Sequence, residues 1–167
     1  ETIYAAEPGD LRQPCPGAGH MKIGLTIGKF SPLHKGHQYL IETALQEMDK
    51  LYLMIYDSPE TTTIPLTVRA GWIRALYPQV QIVEAWDGPT DAGYTPEIMK
   101  IQDTYILAKF HDKGITHFYS SEPYGDHVSK ALKAVNRTVD LKRLAIPVSG
   151  TQVRSDPFSA RMFVHDI

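Results

Sequence analysis

The chain has 167 residues, 43% of them hydrophobic and 22% charged, with a formal net charge of −2 at pH 7; that length suits one globular domain with a real core. The near-neutral balance speaks against a basic nucleic-acid-binding surface, although cations can still gather locally around a small anion. A single cysteine, Cys15, excludes an internal disulfide framework and any cysteine-based zinc cluster, and no apolar run reaches the roughly 20 residues of a membrane-spanning helix. The cytosol is the expected compartment, with no nucleic acid or membrane as partner, and a homo-oligomer stays open.

Residues 1–20 hold three prolines and three glycines and show no hydrophobic period. They lack the basic start and apolar stretch of a signal peptide. They read as a leader, either a tag remnant ending at Gly19-His20 before a native Met21 or a genuine extension packed on the surface. The domain is expected over 21–167.

From Lys22 the chain alternates strand and helix patterns. Lys22–Ile27 is apolar and β-branched and stops at Gly28, a buried strand. Lys35–Met48 carries Tyr39, Leu40, Ala44, Leu45 and Met48 at helical spacing. Leu51–Tyr56 is a second strand, closed by Asp57-Ser58-Pro59. Thr67–Leu76 repeats the helical period through Val68, Trp72, Ile73 and Leu76, and Pro78 ends it. Val80–Glu84 is a third strand, and Pro96 opens a helix running to His111. Thr116–Tyr119, Tyr124–Ala134 and Val135–Val139 read as strand, helix and strand, and Ser149 to Arg154 begins a last short helix. Strands alternating with helices of this length require right-handed crossovers and a parallel sheet. The expected fold is α/β, a Rossmann-like, doubly wound, five-stranded parallel sheet. In such sheets ligands bind beyond the carboxyl ends of the strands.

The segment Gly28-Lys29-Phe30-Ser31-Pro32-Leu33-His34-Lys35-Gly36-His37 lies at such an end. Gly28 permits a close backbone approach or a positive φ, and Pro32 stiffens the loop. Gly36 keeps side chains off the free N–H groups of the helix start, which together with the dipole form an anion site. His34 and His37, three apart, share one face of the first turn. The pair is suited to donating to phosphate oxygens. The other readings are a helix cap, a solvated side chain, or a metal pair, for which no third ligand is obvious. Neither G-x-G-x-x-G nor G-x-x-x-x-G-K-[ST] is present. More than a hundred residues later, Val148-Ser149-Gly150-Thr151-Gln152-Val153-Arg154 places an N-cap serine, a hydroxyl in the first turn and a guanidinium one turn on.

These two segments resemble the two signatures of the nucleotidylyltransferase superfamily, G-x-F-x-P-x-H-x-G-H after the first strand and I-S-x-T-x-[IV]-R near the domain end. The resemblance spans Lys22 to about Phe163. It is nearest to the NMN adenylyltransferase domain of bacterial bifunctional NMN adenylyltransferase/ribosylnicotinamide kinases, through Gly28-Lys29-Phe30, Ser120-Ser121-Glu122-Pro123-Tyr124 and Val139-Asp140-Leu141-Lys142-Arg143. In that family a kinase domain follows, so the chain is read as the first half of such a protein.

The resemblance implies transfer of a nucleotidyl group from ATP, or another nucleoside triphosphate, to NMN or a related small phosphate. Magnesium would bridge the triphosphate oxygens, with no dedicated protein ligands. His37 would serve the α-phosphate, with His34 and Lys29 holding the triphosphate and Arg154 neutralising the leaving pyrophosphate with Ser149 and Thr151. Gly28, Phe30, Gly36, Ser120, Ser121, Asp140 and Arg143 would shape the nucleotide site, the last two as a salt bridge or as surface charge. The family's tryptophans on the helix after strand three have no counterpart in Tyr94–Gln102. Trp86 with Asp87, or Tyr94, is expected to serve the acceptor instead. A cytidylyltransferase acting on another phosphate or phosphonate, and a nucleotide-sensing domain without chemistry, are the alternatives.

Overall fold

The computed structural model describes residues 21–156 and 161–164; the expected leader lies outside them. Five strands, β1 (Ile23–Gly28), β2 (Lys50–Tyr56), β3 (Gln81–Ala85), β4 (His117–Ser120) and β5 (Val135–Thr138), form one sheet in the order β3-β2-β1-β4-β5. Every pairing is parallel. The helices are α1 (Lys35–Glu47), α2 (Leu66–Leu76), α3 (Pro96–Phe110), α4 (Gly125–Leu132) and the six-residue α5 (Gly150–Ser155), with a 3₁₀ turn at Arg161–Phe163. This is the α/β Rossmann-like architecture expected from the alternation, with each element within a residue or two of its expected bounds. No helix among the described residues is long and apolar enough to cross a membrane.

Each face of the sheet carries its own core. On one side Leu40, Ile41 and Ala44 of α1 and Leu66, Ala70 and Ile73 of α2 pack on Leu51, Leu53 and Ile55 of β2. On the other, Ile106 and Phe110 of α3 and Val128 of α4 pack on Leu25, Ile27, Met54 and Phe118. Covering both faces accounts for continuous apolar strands rather than alternating ones. Two apolar positions depart from the expected stripes: Tyr39 and Val68 are exposed. The buried face of α2 instead runs through Leu66, Arg69, Ala70 and Ile73.

Arg69 is fully buried. Its Nε donates to the carbonyl of Ile64 at 2.9 Å. Nη1 donates to the carbonyls of Lys29 and Tyr56, each at 2.7 Å, and Nη2 to that of Asp57 at 2.5 Å. A buried cation is tolerated only when its donors are satisfied, and four carbonyls do this here. The ends of β1 and β2 are thereby tied to the segment that leads into α2.

Candidate functional site

β1 stands at the centre of the sheet, and the strand order reverses between it and β4. The chain leaves β1 through Lys29–His34 and turns into α1. His34 takes an extended backbone (φ −130°, ψ 170°) and caps the helix. Its Nδ1 accepts from the His37 N–H at 3.3 Å, and Nδ1 of His37 accepts from the His34 N–H at 3.2 Å. The two rings stack with centroids 3.6 Å apart and planes inclined by 18°. This is a capping box built from two histidines in place of the usual serine and glutamate. The capping and anion-site readings are therefore compatible: a ring whose Nδ1 accepts must carry its proton on Nε2, so each neutral imidazole still has a donor to offer.

The surroundings keep both rings neutral. Burial lowers His34 to about 4, with the positive charges of Arg143 and Arg154 acting in the same direction. His37 is held well below the usual imidazole range, first by burial, then by His34, Arg143 and Arg154. Gly36 has a definite reason to be glycine, because a Cβ there would stand 2.9 Å from Cε1 of His34. Gly28 does not use a positive φ; the left-handed residue of the loop is Phe30, at φ 49°. The Phe30 ring lies 4.7 Å from that of His37, and a Cβ on Gly28 would press against it at 3.1 Å.

The second segment is built on the same plan. Ser149 caps α5, its Oγ accepting from the Gln152 N–H at 3.2 Å while the side-chain Oε1 of Gln152 accepts from the Ser149 N–H at 2.8 Å. Arg154 reaches back to donate from Nη1 to the Ser31 carbonyl at 2.8 Å, and its Nη2 lies 3.5 Å from the Thr151 hydroxyl. An antiparallel bridge between His34 and Val164 makes a further link. Two segments far apart in sequence thus form one wall.

Asp140 and Arg143 form no side-chain salt bridge; the Arg143 N–H donates to the Asp140 carbonyl at 2.8 Å. The Asp140 carboxylate accepts from the N–H groups of Leu144, Ala145 and Ile146 at 2.7–2.9 Å, which holds its pKa below the ordinary carboxylate value. Arg143 donates to the Val148 carbonyl at 2.9 Å and forms an ion pair with Glu122. Both residues support the backbone that delivers Ser149.

A cavity of about 410 Å³ opens beside this wall. Gly28, Lys29, His37 and Tyr94 line it, as do Tyr56, Asp91, Gln102, Glu122 and Tyr124. Lys29 donates to Thr61 Oγ1 at 2.8 Å and lies 3.6 Å from Glu60. Ser120 and Ser121 are not on the cavity lining; Ser120 is buried and its hydroxyl donates to the Glu122 carbonyl. Trp86 and Asp87 lie outside it too. Trp86 is 54% exposed and its Nε1 donates to Glu84 at 3.0 Å, while Asp87 accepts from the Tyr105 hydroxyl at 2.7 Å. Of the expected acceptor residues only Tyr94 reaches the cavity.

Sequence reading missed Tyr56, Gln102 and Tyr124. Gln102 donates to the Asp91 carbonyl at 3.0 Å, and the Tyr124 hydroxyl to that of Ile27 at 3.1 Å. Burial raises the pKa of the Tyr56 and Tyr124 phenols, so both stay protonated. Tyr56 ends a strand and Tyr124 precedes a helix; position at a strand's carboxyl end was the one available signal.

The cytidylyltransferase-like family model matches residues 25–156. The chain is similar to the trifunctional NAD biosynthesis/regulator protein NadR of Salmonella typhimurium, at 29% identity over 156 residues that cover 81% of this chain and 37% of that protein. It is also similar to a probable nicotinate-nucleotide adenylyltransferase of Thermotoga petrophila, 22% identical over 167 residues, covering 80% of this chain and 84% of that one. Among solved structures, NadR in complex with NAD and AMP-PNP aligns with a TM-score of 0.59 at 22% identity, over 86% of this chain and 44% of that chain. The chain therefore spans well under half the length of NadR, and its likeness to that structure is one of fold.

Proposed function

From membership of the cytidylyltransferase-like family, to which the chain belongs, we propose that it is a nucleotidyltransferase that moves the adenylyl group of ATP to nicotinamide mononucleotide. One observation carries the reading. The His34–His37 cap and the Ser149–Arg154 helix start are joined by the Arg154–Ser31 hydrogen bond at a cavity that His37 itself lines.

In the reaction a phosphate oxygen of the acceptor attacks the α-phosphorus of ATP in line. The bond from that phosphorus to its bridging oxygen breaks, and pyrophosphate leaves. An ionised phosphate is already nucleophilic, so positioning and charge stabilisation do the catalytic work. His37 donates from Nε2 to the α-phosphate, whose negative charge grows in the transition state. His34 sits beneath it and fixes its tautomer and tilt. Arg154, with the hydroxyls of Ser149 and Thr151, receives the departing β- and γ-phosphates. Lys29 holds the triphosphate from the cavity wall.

The donors at this wall are imidazole, ammonium and guanidinium N–H groups, which suit phosphate oxygens and not a bare cation. Among the described residues no cluster of three or more His, Cys, Asp or Glu is gathered for a metal. A magnesium ion fits this site only as a passenger of the triphosphate, held by phosphate oxygens and water, where it would offset phosphate charge.

The acceptor occupies the side lined by Tyr56, Tyr94, Gln102 and Tyr124. Two acidic residues, Asp91 and Glu122, also line the cavity; Glu122 is already paired with Arg143, which leaves Asp91 to favour a cationic pyridinium with a neutral amide over one bearing a carboxylate. The similarity to a nicotinate-nucleotide adenylyltransferase supports nicotinic acid mononucleotide as the second reading.

The test is a matrix of ATP and CTP against NMN, nicotinic acid mononucleotide and simple phosphate or phosphonate acceptors, read as pyrophosphate. The expected product comes from ATP with NMN. Release with CTP alone would make the chain a cytidylyltransferase, and no release from any pair would leave a nucleotide-binding domain without chemistry.

A further inference from the structure

We propose that Arg69, remote from the reacting atoms, is a positioning residue for the transfer reaction, acting through the strand ends that carry the cavity wall. The inference rests on the adenylyl-transfer reading above. Its basis is the set of groups this side chain holds. Lys29, Tyr56 and Asp57 lie at or just past the last ladder pairs, Gly28 with Ile55 and Tyr56 with Ala85. Their carbonyls therefore have few neighbours in the sheet to donate to them. They converge on one fully buried guanidinium, joined by the carbonyl of Ile64.

A carboxylate is not the main partner. The Asp57 carboxylate stands 3.8 Å away and its side chain is about one-third exposed. A hydrophobic residue at 69 would fill the space more cheaply, but it would leave four carbonyls without donors.

The consequence for the site is twofold. First, three of the four carbonyls belong to segments that supply cavity residues, namely Lys29, Tyr56 and Ser58. Arg69 draws their oxygens toward the interior, away from the ligand. A carbonyl oxygen turned the other way would face an incoming polyphosphate with partial negative charge. Second, Arg69 locks the 57–64 segment, which reaches the first motif again through Lys29 Nζ to Thr61 Oγ1 at 2.8 Å and Ser31 Oγ to Thr62 Oγ1 at 2.5 Å. Ser31 is also the residue that Arg154 grips. The guanidinium thus underpins the Lys29–Ser31 stretch on which both halves of the phosphate wall depend.

Arg69→Lys keeps the charge but cannot span four carbonyls. At a temperature well below its melting point, and normalised to folded protein, it is expected to lower kcat for pyrophosphate release by about 10- to 100-fold, since small misplacements of a phosphate cradle cost that much. The KM for the acceptor should rise less than the KM for ATP. In Arg69→Ala, millimolar guanidinium should restore kcat saturably, and sodium chloride at equal ionic strength should not. A purely structural role would lower the melting temperature and leave kcat per folded molecule within two-fold of the wild type; that result overturns the proposal. If the Arg69 variants do not fold, Thr62→Val removes the tether of the same segment to Ser31, and an unchanged kcat there overturns it equally. Absence of pyrophosphate release from the wild-type chain overturns the functional reading and this proposal together, whereas a wild-type rate with no loss in Arg69→Lys overturns this proposal alone.

Discussion

The wall proposed for the phosphates, of which only Gly28, Lys29 and His37 line the cavity itself, and the side proposed for the acceptor are made differently. On the phosphate side His34 and His37 satisfy each other's backbone, Ser149 and Gln152 do the same, and Arg154 bolts the two together. The acceptor side joins Tyr56, Gln102 and Tyr124, in or beside regular elements, to the irregular stretch between β3 and α3, where Tyr94 is 56% exposed and the Gln102–Asp91 bond is a tether across it. One half is closed by reciprocal hydrogen bonds before any ligand arrives; the other is open. Preorganised donors are what charge stabilisation requires, whereas an open aromatic wall leaves the choice of acceptor to a few side chains. On the proposed reading, the reaction type is therefore built into the part closed by reciprocal hydrogen bonds, and the acceptor choice into the part that includes the exposed Tyr94.

Four changes would break or sharpen that contrast. Replacing His37 by alanine should lower kcat by about 10²–10³ with the fold retained, as for loss of one transition-state donor; wild-type turnover would remove the phosphate side from the chemistry. Acid should act on the same side. His34 titrates at about 4 when folded and near 6.5 when unfolded, so the unfolded chain binds more protons between these values. Stability is then full above pH 6.5 and falls as the pH drops toward 4, by roughly 3 kcal/mol, with His37 adding in the same direction. Glu47, held near 2 by Arg137 and Tyr119, loses its contribution from its ordinary 4.5 downward, so it adds to the fall only at the acid end of this window. Urea midpoints at pH 7.5, 5.5 and 4.5 measure the effect, and a constant midpoint would contradict it.

Arg154→Ala removes the bond to Ser31 and the guanidinium offered to the leaving group. It should cut kcat/KM for ATP by about 10- to 100-fold, the scale of one or two charge-assisted hydrogen bonds. Steady-state kinetics with the acceptor saturating would reveal it, and an effect on the acceptor KM alone would place Arg154 on the wrong side. Tyr94→Ala should be mildest, raising the KM for NMN several-fold through loss of an aromatic face worth about 1 kcal/mol and leaving the KM for ATP as it was. An equal rise in both constants would erase the division between the two sides.

The same division governs what the sequence made legible. Strand and helix order followed from local periodicity, and the His34–His37 and Ser149–Arg154 segments stood out because their groups lie close together in the chain. Arg69 did not, because a helical period says which face a residue occupies and not which carbonyls it meets there. Asp140 and Arg143 were noticed, but their true partners, three consecutive N–H groups and Glu122, depend on two left-handed residues that no pattern announces. Trp86 was the reasonable aromatic candidate; its indole instead turns to Glu84, and Tyr56 and Tyr124 occupy the cavity wall in its place.

The hydrogen bond from Arg154 to Ser31 joins residues 123 positions apart. All five strands are complete by Thr138, before the chain has supplied Ser149, Thr151 or Arg154. During synthesis, which runs from the amino terminus, the sheet can assemble while the wall proposed for the phosphates is still half absent. Closing so long a loop comes late, because its entropic cost must be met before its contacts reward it. Enzymatic activity in this protein would then report on the last contacts to form rather than on the presence of the sheet, and a refolding experiment followed by turnover should lag one followed by circular dichroism.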